Sequence, residues 1–231
     1  MAIYALSDMH GEIELWRQIQ EFLTDEDTLV FLGDAADRGP EGLQVLQEML
    51  KDERVVFLRG NHEQNIIEYY KDPDDHEFLR DWFTDGGYLT WLSFTSLPSQ
   101  RQADLYQKLQ NLPLHATYIN KEGMRIKLSH SGFTPEIEDD AKYTYQFELL
   151  NKYVYNRKHL EESWVNCGEI DFIVHGHTPT GIMDAESRGQ VLLHCDGHKI
   201  NIDTGATFTG VAALLDLDTF TPTYFYKGDL K

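Results

Sequence analysis

The sequence predicts an α/β core whose chemistry gathers at one end of its strands. Short apolar runs of strand length, helical spacing between the early runs, and Asp, Asn, His and Gly recurring directly after five of them carry this reading. The first run, residues 3–6, leads into Ile13, Leu15, Trp16, Ile19, Phe22 and Leu23 at helical spacing. A second run at 28–32 is followed by Leu43, Leu46 and Leu50, again one face of a helix, and a third follows at 55–58. Alternation of this kind favours parallel strands.

From Glu63 to about Leu112 the pattern is helical, with Trp82, Phe83, Trp91 and Phe94 interrupted by Gly86-Gly87 and Pro98. It reads as an excursion over the core, so that 1–231 forms one domain. Two further strands are expected at 126–128 and 172–174, and then a closing β-meander at 200–202, 211–217 and 223–226, parted by Gly205, Gly210 and Asp218-Thr219.

The chain has 231 residues, 20 of them basic and 39 acidic, for a net charge of −19. A field of that sign repels polyphosphates and disfavours nucleic-acid coating, so any affinity for phosphate needs a local positive centre such as a bound metal. No secretory signal or apolar run of membrane length occurs, which predicts a cytoplasmic protein without membrane contact. The two cysteines, Cys167 and Cys195, have no thiolate-zinc spacing and read as buried thiols.

The five runs end in Asp8-Met9-His10-Gly11, Gly33-Asp34-Ala35-Ala36-Asp37-Arg38-Gly39, Arg59-Gly60-Asn61-His62-Glu63, His130-Ser131-Gly132 and His175-Gly176-His177-Thr178-Pro179. Ligands of open α/β sheets bind beyond the carboxyl ends of strands, so the five loops should converge. Asp8, His10, Asp34, Asn61, His130 and His177 would then offer oxygen and imidazole donors without thiolate, a set suited to Mn, Fe, Zn or Ni. Two close, buried carboxylates require cations to stay ionised. Six donors exceed what one catalytic metal needs, so two divalent ions about 3.5 to 4 Å apart are expected, bridged by Asp34.

These blocks resemble the calcineurin-like metallophosphoesterases over residues 3 to about 210. Asp37-Arg38-Gly39 and the arginine before Gly60 are similar to the serine/threonine phosphoprotein phosphatase branch, which includes bacterial and phage phosphatases and symmetrical dinucleoside tetraphosphatases. Pro179, where many superfamily members carry a second histidine, fits that branch. The resemblance implies two facing mixed β-sheets flanked by helices. It implies Asp8, His10 and Asp34 on one metal, and Asp34, Asn61, His130 and His177 on the other.

A water ionised between the cations would be the nucleophile. Arg38 and Arg59 carry forks suited to phosphate oxygens, and Arg157 resembles a further phosphate-contacting arginine of the bacterial branch. His62 is the expected general acid, with Asp37 on its other nitrogen. The leading expectation is a serine/threonine protein phosphatase, with a phosphorylated protein or small phosphoester as its partner. The alternatives are a dinucleoside polyphosphate hydrolase and, ranked below both, a non-catalytic adapter.

Other features read as structural. His175 should point away from the site, His194, Cys195, Asp196 and His198 should form a surface hairpin, and Asp203 a turn. The acidic run 136–140 reads as a solvated loop. Tyr143, Tyr145, Phe147, Tyr153 and Tyr155 read either as a substrate groove or as a packing face.

Overall fold

The computed structural model describes residues 1–133, 146–160 and 170–228. The acidic run 136–140, Tyr143, Tyr145 and Cys167, together with the side chain of Phe147, lie outside the described residues. In chain order the strands are β1 (Ile3–Leu6), β2 (Thr28–Phe31), β3 (Val55–Phe57), β4 (His115–Ile119), β5 (Arg125–Ser129), β6 (Phe172–His175), β7 (Leu192–His194), β8 (Lys199–Asn201), β9 (Val211–Asp216) and β10 (Pro222–Tyr226). The helices are α1 (Ile13–Phe22), α2 (Gly42–Met49), α3 (Asn61–Lys71), α4 (His76–Thr84), α5 (Tyr88–Thr95), α6 (Ser99–Gln110), α7 (Gln146–Tyr153), α8 (Thr180–Met183) and α9 (Ala206–Thr209).

Two five-stranded sheets result, ordered β10-β9-β1-β2-β3 and β4-β5-β6-β8-β7. In the first, β1, β2 and β3 are parallel while β9 and β10 run antiparallel. The second pairs β5, β6 and β8 in parallel, with β4 and β7 antiparallel at its edges. Strand period sorts the apolar side chains into layers. Ala5, Val30, Val174 and Ile200 fill the space between the sheets, whereas Leu6, Leu29 and Phe31 face Trp16, Ile19, Leu46 and Ile66 of the helices. On the far side of the second sheet, Ile173 packs with Leu150 and Tyr153 of α7. This helix–sheet–sheet–helix layering is the mixed-sheet fold that the resemblance implied.

The closing meander does not form. The 200–202 strand, β8, joins the second sheet beside β6, while β9 and β10 form a hairpin against β1 in the first. The intervening Gly205 and Gly210 both adopt left-handed φ, at 71° and 70°, flanking the short α9. They let the chain cross between sheets, where similar apolar strands had read as neighbours. Strands β4 and β7 were also unanticipated, because β4 alternates half-buried with exposed residues and β7 has only three. Among the described residues no helix is long and apolar enough to cross a membrane.

Candidate active site

The loops after β1, β2, β3, β5 and β6 meet at one end of the two sheets. Their backbone is unusual: Asp8 (φ 54°), His10 (41°), Asp34 (64°), Asp37 (68°), Arg38 (62°) and His177 (70°) all lie in the left-handed region. Each such residue is disfavoured by about 1 to 3 kcal/mol, so their concentration in one place marks a functional centre. The loops also pack at backbone contact. A Cβ on Gly60 would enter the Asp34 carboxylate, and one on Gly176 would enter the Ser7 hydroxyl and the Asp8 carboxylate.

Asp34 sits at the middle. Its Oδ2 lies 3.3 Å from His130 Nε2, 3.7 Å from His10 Nε2 and 3.8 Å from His62 Nε2, while its Oδ1 accepts from the His62 backbone N–H at 3.0 Å. Two donor groups share it, His10–Asp34–His62 and Asp34–His130–His177, all buried. Asp8 lies 3.9 Å from His10, and Asn61 Oδ1 is 2.9 Å from His130 Nε2. His177 Nδ1 stands 3.1 Å from the same nitrogen. Asp8 is fixed by donation from the Ser7 hydroxyl and, at 3.0 Å, from the His177 N–H.

The ring orientations suit cation binding. His10 and His130 donate Nδ1–H to the carbonyls of Ala36 (2.8 Å) and Leu32 (3.0 Å), which turns their Nε2 atoms toward Asp34. Burial holds His10 and His177 well below the ordinary imidazole range, helped by nearby positive groups, so both rings are neutral. Burial also opposes ionisation of Asp34, but the surrounding His130, His62 and His10 outweigh it and hold the carboxyl well below its usual value. Among the described residues the Nε2 of buried His62 has no hydrogen-bond partner.

His62 is gripped from behind. Its Nδ1 donates to Asp37 Oδ2 at 2.6 Å, and the same oxygen accepts from Trp82 Nε1 at 2.6 Å. Thr90 Oγ1 accepts from the Asp37 N–H at 3.0 Å. Burial disfavours the charged ring, yet the Asp34 charge and the Asp37 hydrogen bond prevail and push His62 up to about 8. Glu63 braces the ligand loops, accepting from the N–H groups of Asp34 (2.7 Å), Ala35 (2.9 Å) and Gly60 (3.0 Å).

The three candidate arginines part company. Arg38 Nη1 reaches 2.7 Å from His10 Nε2, at the donor cluster itself. Arg157 is exposed and lines a cavity of about 390 Å³ together with Asn61, His177 and Tyr155. Arg59, also expected to contact phosphate, is engaged by protein partners. Its guanidinium is buried and donates to Gln64 Oε1 at 3.1 Å and to the carbonyls of Gln110 and Leu112, so its fork tethers the end of α6 to α3.

Sequence reasoning missed Trp82, Thr90 and Asp85. Trp82 had read as core packing, and no local pattern marks the threonine. Asp85 left a signal, since a carboxylate at the C-terminal end of α4 opposes the helix dipole and so calls for a distant cation. That cation is Arg38, 3.3 Å away. His175, by contrast, is buried against His194, Nε2 to Nε2 at 2.8 Å, in the β7–β8 hairpin as expected. Asp203 is buried in a turn, where its Oδ1 accepts from the Gly205 N–H at 2.9 Å. Tyr153 packs in the apolar cluster beneath α7, whereas Tyr155 reaches the cavity.

Known proteins of the same build carry related names. The chain is 27% identical over 181 residues to the serine/threonine-protein phosphatase 2 of Escherichia coli, covering 76% of this chain and 78% of that one. It is 23% identical over 235 residues to the asymmetrical bis(5'-nucleosyl)-tetraphosphatase PrpE of Oceanobacillus iheyensis, covering 90% and 85%. A crystal structure described as a candidate diadenosine tetraphosphatase shares the fold at a TM-score of 0.65 with 17% identity, covering 99% of this chain and 94% of that one. The model of the calcineurin-like phosphoesterases matches residues 1–194, and with that the chain belongs to this family of hydrolases.

Proposed function

We propose that this chain is a two-metal phosphomonoesterase acting on phosphoserine or phosphothreonine in proteins. One observation carries the two-metal reading: Asp34 belongs to two buried donor groups, and its Oδ2 lies 3.3 Å from His130 Nε2 and 3.7 Å from His10 Nε2, the rings assigned to different ions. The neutral His10 and His177 rings and a carboxylate that stays ionised suit divalent cations, and a cation would take the place of the proton that His130 holds in the metal-free chain. Asp8, His10 and Asp34 would hold one ion, and Asp34, Asn61, His130 and His177 the other. Bound there, the cations supply a lowered water pKa and neutralise charge on the phosphoryl oxygens. Manganese suits the oxygen and imidazole donors.

The chain's own groups do the rest. Arg38 and Arg157 stand on two sides of the donor cluster, where their guanidinium forks hold phosphoryl oxygens. His62, kept protonated at neutral pH by Asp34 and Asp37, delivers the Nε2 proton to the leaving oxygen. Trp82 and Thr90 hold Asp37, and so the ring, in place.

A protein substrate is favoured by the cavity wall, where Tyr155 and Phe78 lie beside the carboxylates of Asp81 and Asp85. An apolar and acidic surface accepts a polypeptide more readily than a polyphosphate. The second reading, a dinucleoside tetraphosphate hydrolase, draws on the similarity to the Oceanobacillus protein. Turnover of a phosphoserine peptide and of diadenosine tetraphosphate, measured side by side with Mn²⁺, separates the two. The peptide is expected to be cleaved with the higher kcat/KM, and preference for the tetraphosphate would reverse the assignment. Failure of the metal-loaded protein to cleave any phosphoester would point to an adapter.

A further inference from the structure

We propose that Asp85 is a specificity-determining residue that sets this site against substrates whose leaving group is itself anionic. The inference rests on the reading of His62 as the donor to the leaving oxygen. Asp85 Oδ2 lies 3.4 Å from His62 Nε2, and Asp85 Oδ1 lies 3.3 Å from Arg38 Nη2. The carboxylate therefore stands between the group that grips the phosphoryl oxygens and the group that protonates the departing one. Its approach to His62 is notable because that nitrogen is buried and, among the described residues, without a hydrogen-bond partner.

The backbone holds this carboxylate in place. Gly86 follows with φ 93°, its carbonyl accepts from the Arg38 N–H at 3.0 Å, and a Cβ there would collide with Arg38. Gly87 N–H then bonds back to the Trp82 carbonyl at 2.9 Å. The turn is thus clamped on one side to the phosphate-gripping arginine and on the other to the tryptophan that holds Asp37. Asp81, one helical turn earlier, lines the same cavity but is exposed and paired with Arg80 at 3.1 Å. Of the two cavity-lining carboxylates, Asp85 is the one that stands beside His62 Nε2.

Hydrolysis breaks the bond between phosphorus and the leaving oxygen, forms one from phosphorus to a water oxygen whose proton passes to solvent, and moves the His62 proton to the leaving oxygen, after which solvent reprotonates His62. From a phosphoserine the departing group is a neutral alcohol. A dinucleoside tetraphosphate releases a nucleoside polyphosphate, whose remaining phosphoryl charges are attached at the very oxygen that meets His62. Those charges fall close to Asp85, and repulsion across a short path weakens binding without touching the neutral alcohol.

The test compares kcat/KM on a phosphoserine peptide and on diadenosine tetraphosphate for the Mn²⁺-loaded wild type, Asp85→Asn and Asp85→Glu. Asp85→Asn is expected to shift the ratio toward the tetraphosphate by about tenfold or more, mostly through KM, and Asp85→Glu to keep the ratio near wild type. Raising the salt should narrow the wild-type preference and leave the asparagine variant nearly insensitive. Equal changes on both substrates would mean that Asp85 only steadies Arg38, and a ratio moving toward the peptide would contradict the proposal outright. A wild type that prefers the tetraphosphate would overturn the phosphoprotein reading, yet the shift on Asp85→Asn would still be read. Were neither substrate cleaved, calorimetric binding decides. Asp85→Asn must tighten inorganic tripolyphosphate more than orthophosphate, and equal tightening overturns the assignment.

Discussion

Two histidine groups flank β6, and the contrast between them shows what turns imidazoles into a metal-ready centre. Beyond the strand, His177 and His130 meet 3.1 Å apart with Asp34 Oδ2 3.3 Å from His130. Within the strand, His175 meets His194 at 2.8 Å, and the thiol of Cys195 lies 3.2 Å from His194 Nδ1. Burial disfavours the charged ring in both groups. It wins at His194, with help from Lys199, and pulls that ring down to about 4. At His130 the charge on Asp34 overrides it and pushes the ring up to about 9. The shared carboxylate, more than the histidines, distinguishes the two places.

The comparison breaks most sharply at that carboxylate. Asp34→Asn should lower phosphoester turnover by about 10³-fold or more, the scale of losing a principal charge-stabilising group, and elemental analysis should show fewer than two metals per chain. Retention of both metals with near-normal turnover would remove Asp34 from the centre.

His62→Asn tests the neighbour that shares Asp34 without being assigned a metal. A loss of about 10² to 10⁴ in kcat is expected with metal content intact, while unchanged turnover would end its role as the acid.

A third effect is read in stability rather than turnover. His130 at about 9 and His62 at about 8 are both raised above the ordinary value of about 6.5, so they stabilise the metal-free chain fully below about pH 6.5. That contribution is lost as pH rises through 8 to 9. A cation competes with the proton for the His130 nitrogen, so loading with Mn²⁺ should reverse the slope of Tm against pH. Parallel slopes with and without chelator would mean that the donors do not meet a metal.

The smallest effect belongs to the other histidine group. Its ring resists a proton down to about 4 when folded but accepts one near 6.5 when unfolded, so His194 weakens the fold as pH falls between those values. His194→Gln should flatten that acid-side slope and leave metal content and turnover within about twofold. A loss of metal would join the two groups into one site.

Much of this was legible along the chain. Apolar runs at 3–6, 28–32 and 172–174 became β1, β2 and β6 almost to the residue, because a strand buried on both faces must be apolar throughout. The helical excursion became α3 to α6 for the same kind of reason, through helical spacing of Ile66, Trp82, Phe94 and Leu105 toward the core. Sheet membership was not legible. The strand at 200–202 resembles its successors, and only the left-handed glycines after it reveal that the chain changes sheets.

The candidate site divides in the same way. Asp8, His10, Asp34, Asn61, His130 and His177 are found together because each follows a parallel strand, and the parallel strands of both sheets end at the same side of the molecule. The directions of long side chains escape that rule. Arg38 and Arg59 both lie in loops that carry donors, yet one guanidinium meets His10 and the other is captured by the carbonyls of Gln110 and Leu112, which belong to a segment some fifty residues away.

The sequence alone therefore determined the inventory of donors and the end of the strands at which they gather, since both follow from short-range periodicity and chain direction. The tertiary structure decided which oxygen is shared, which arginine remains available, and that Asp85 stands beside His62. Those outcomes depend on competition among partners far apart in the chain, and such competition is resolved only when the layers pack.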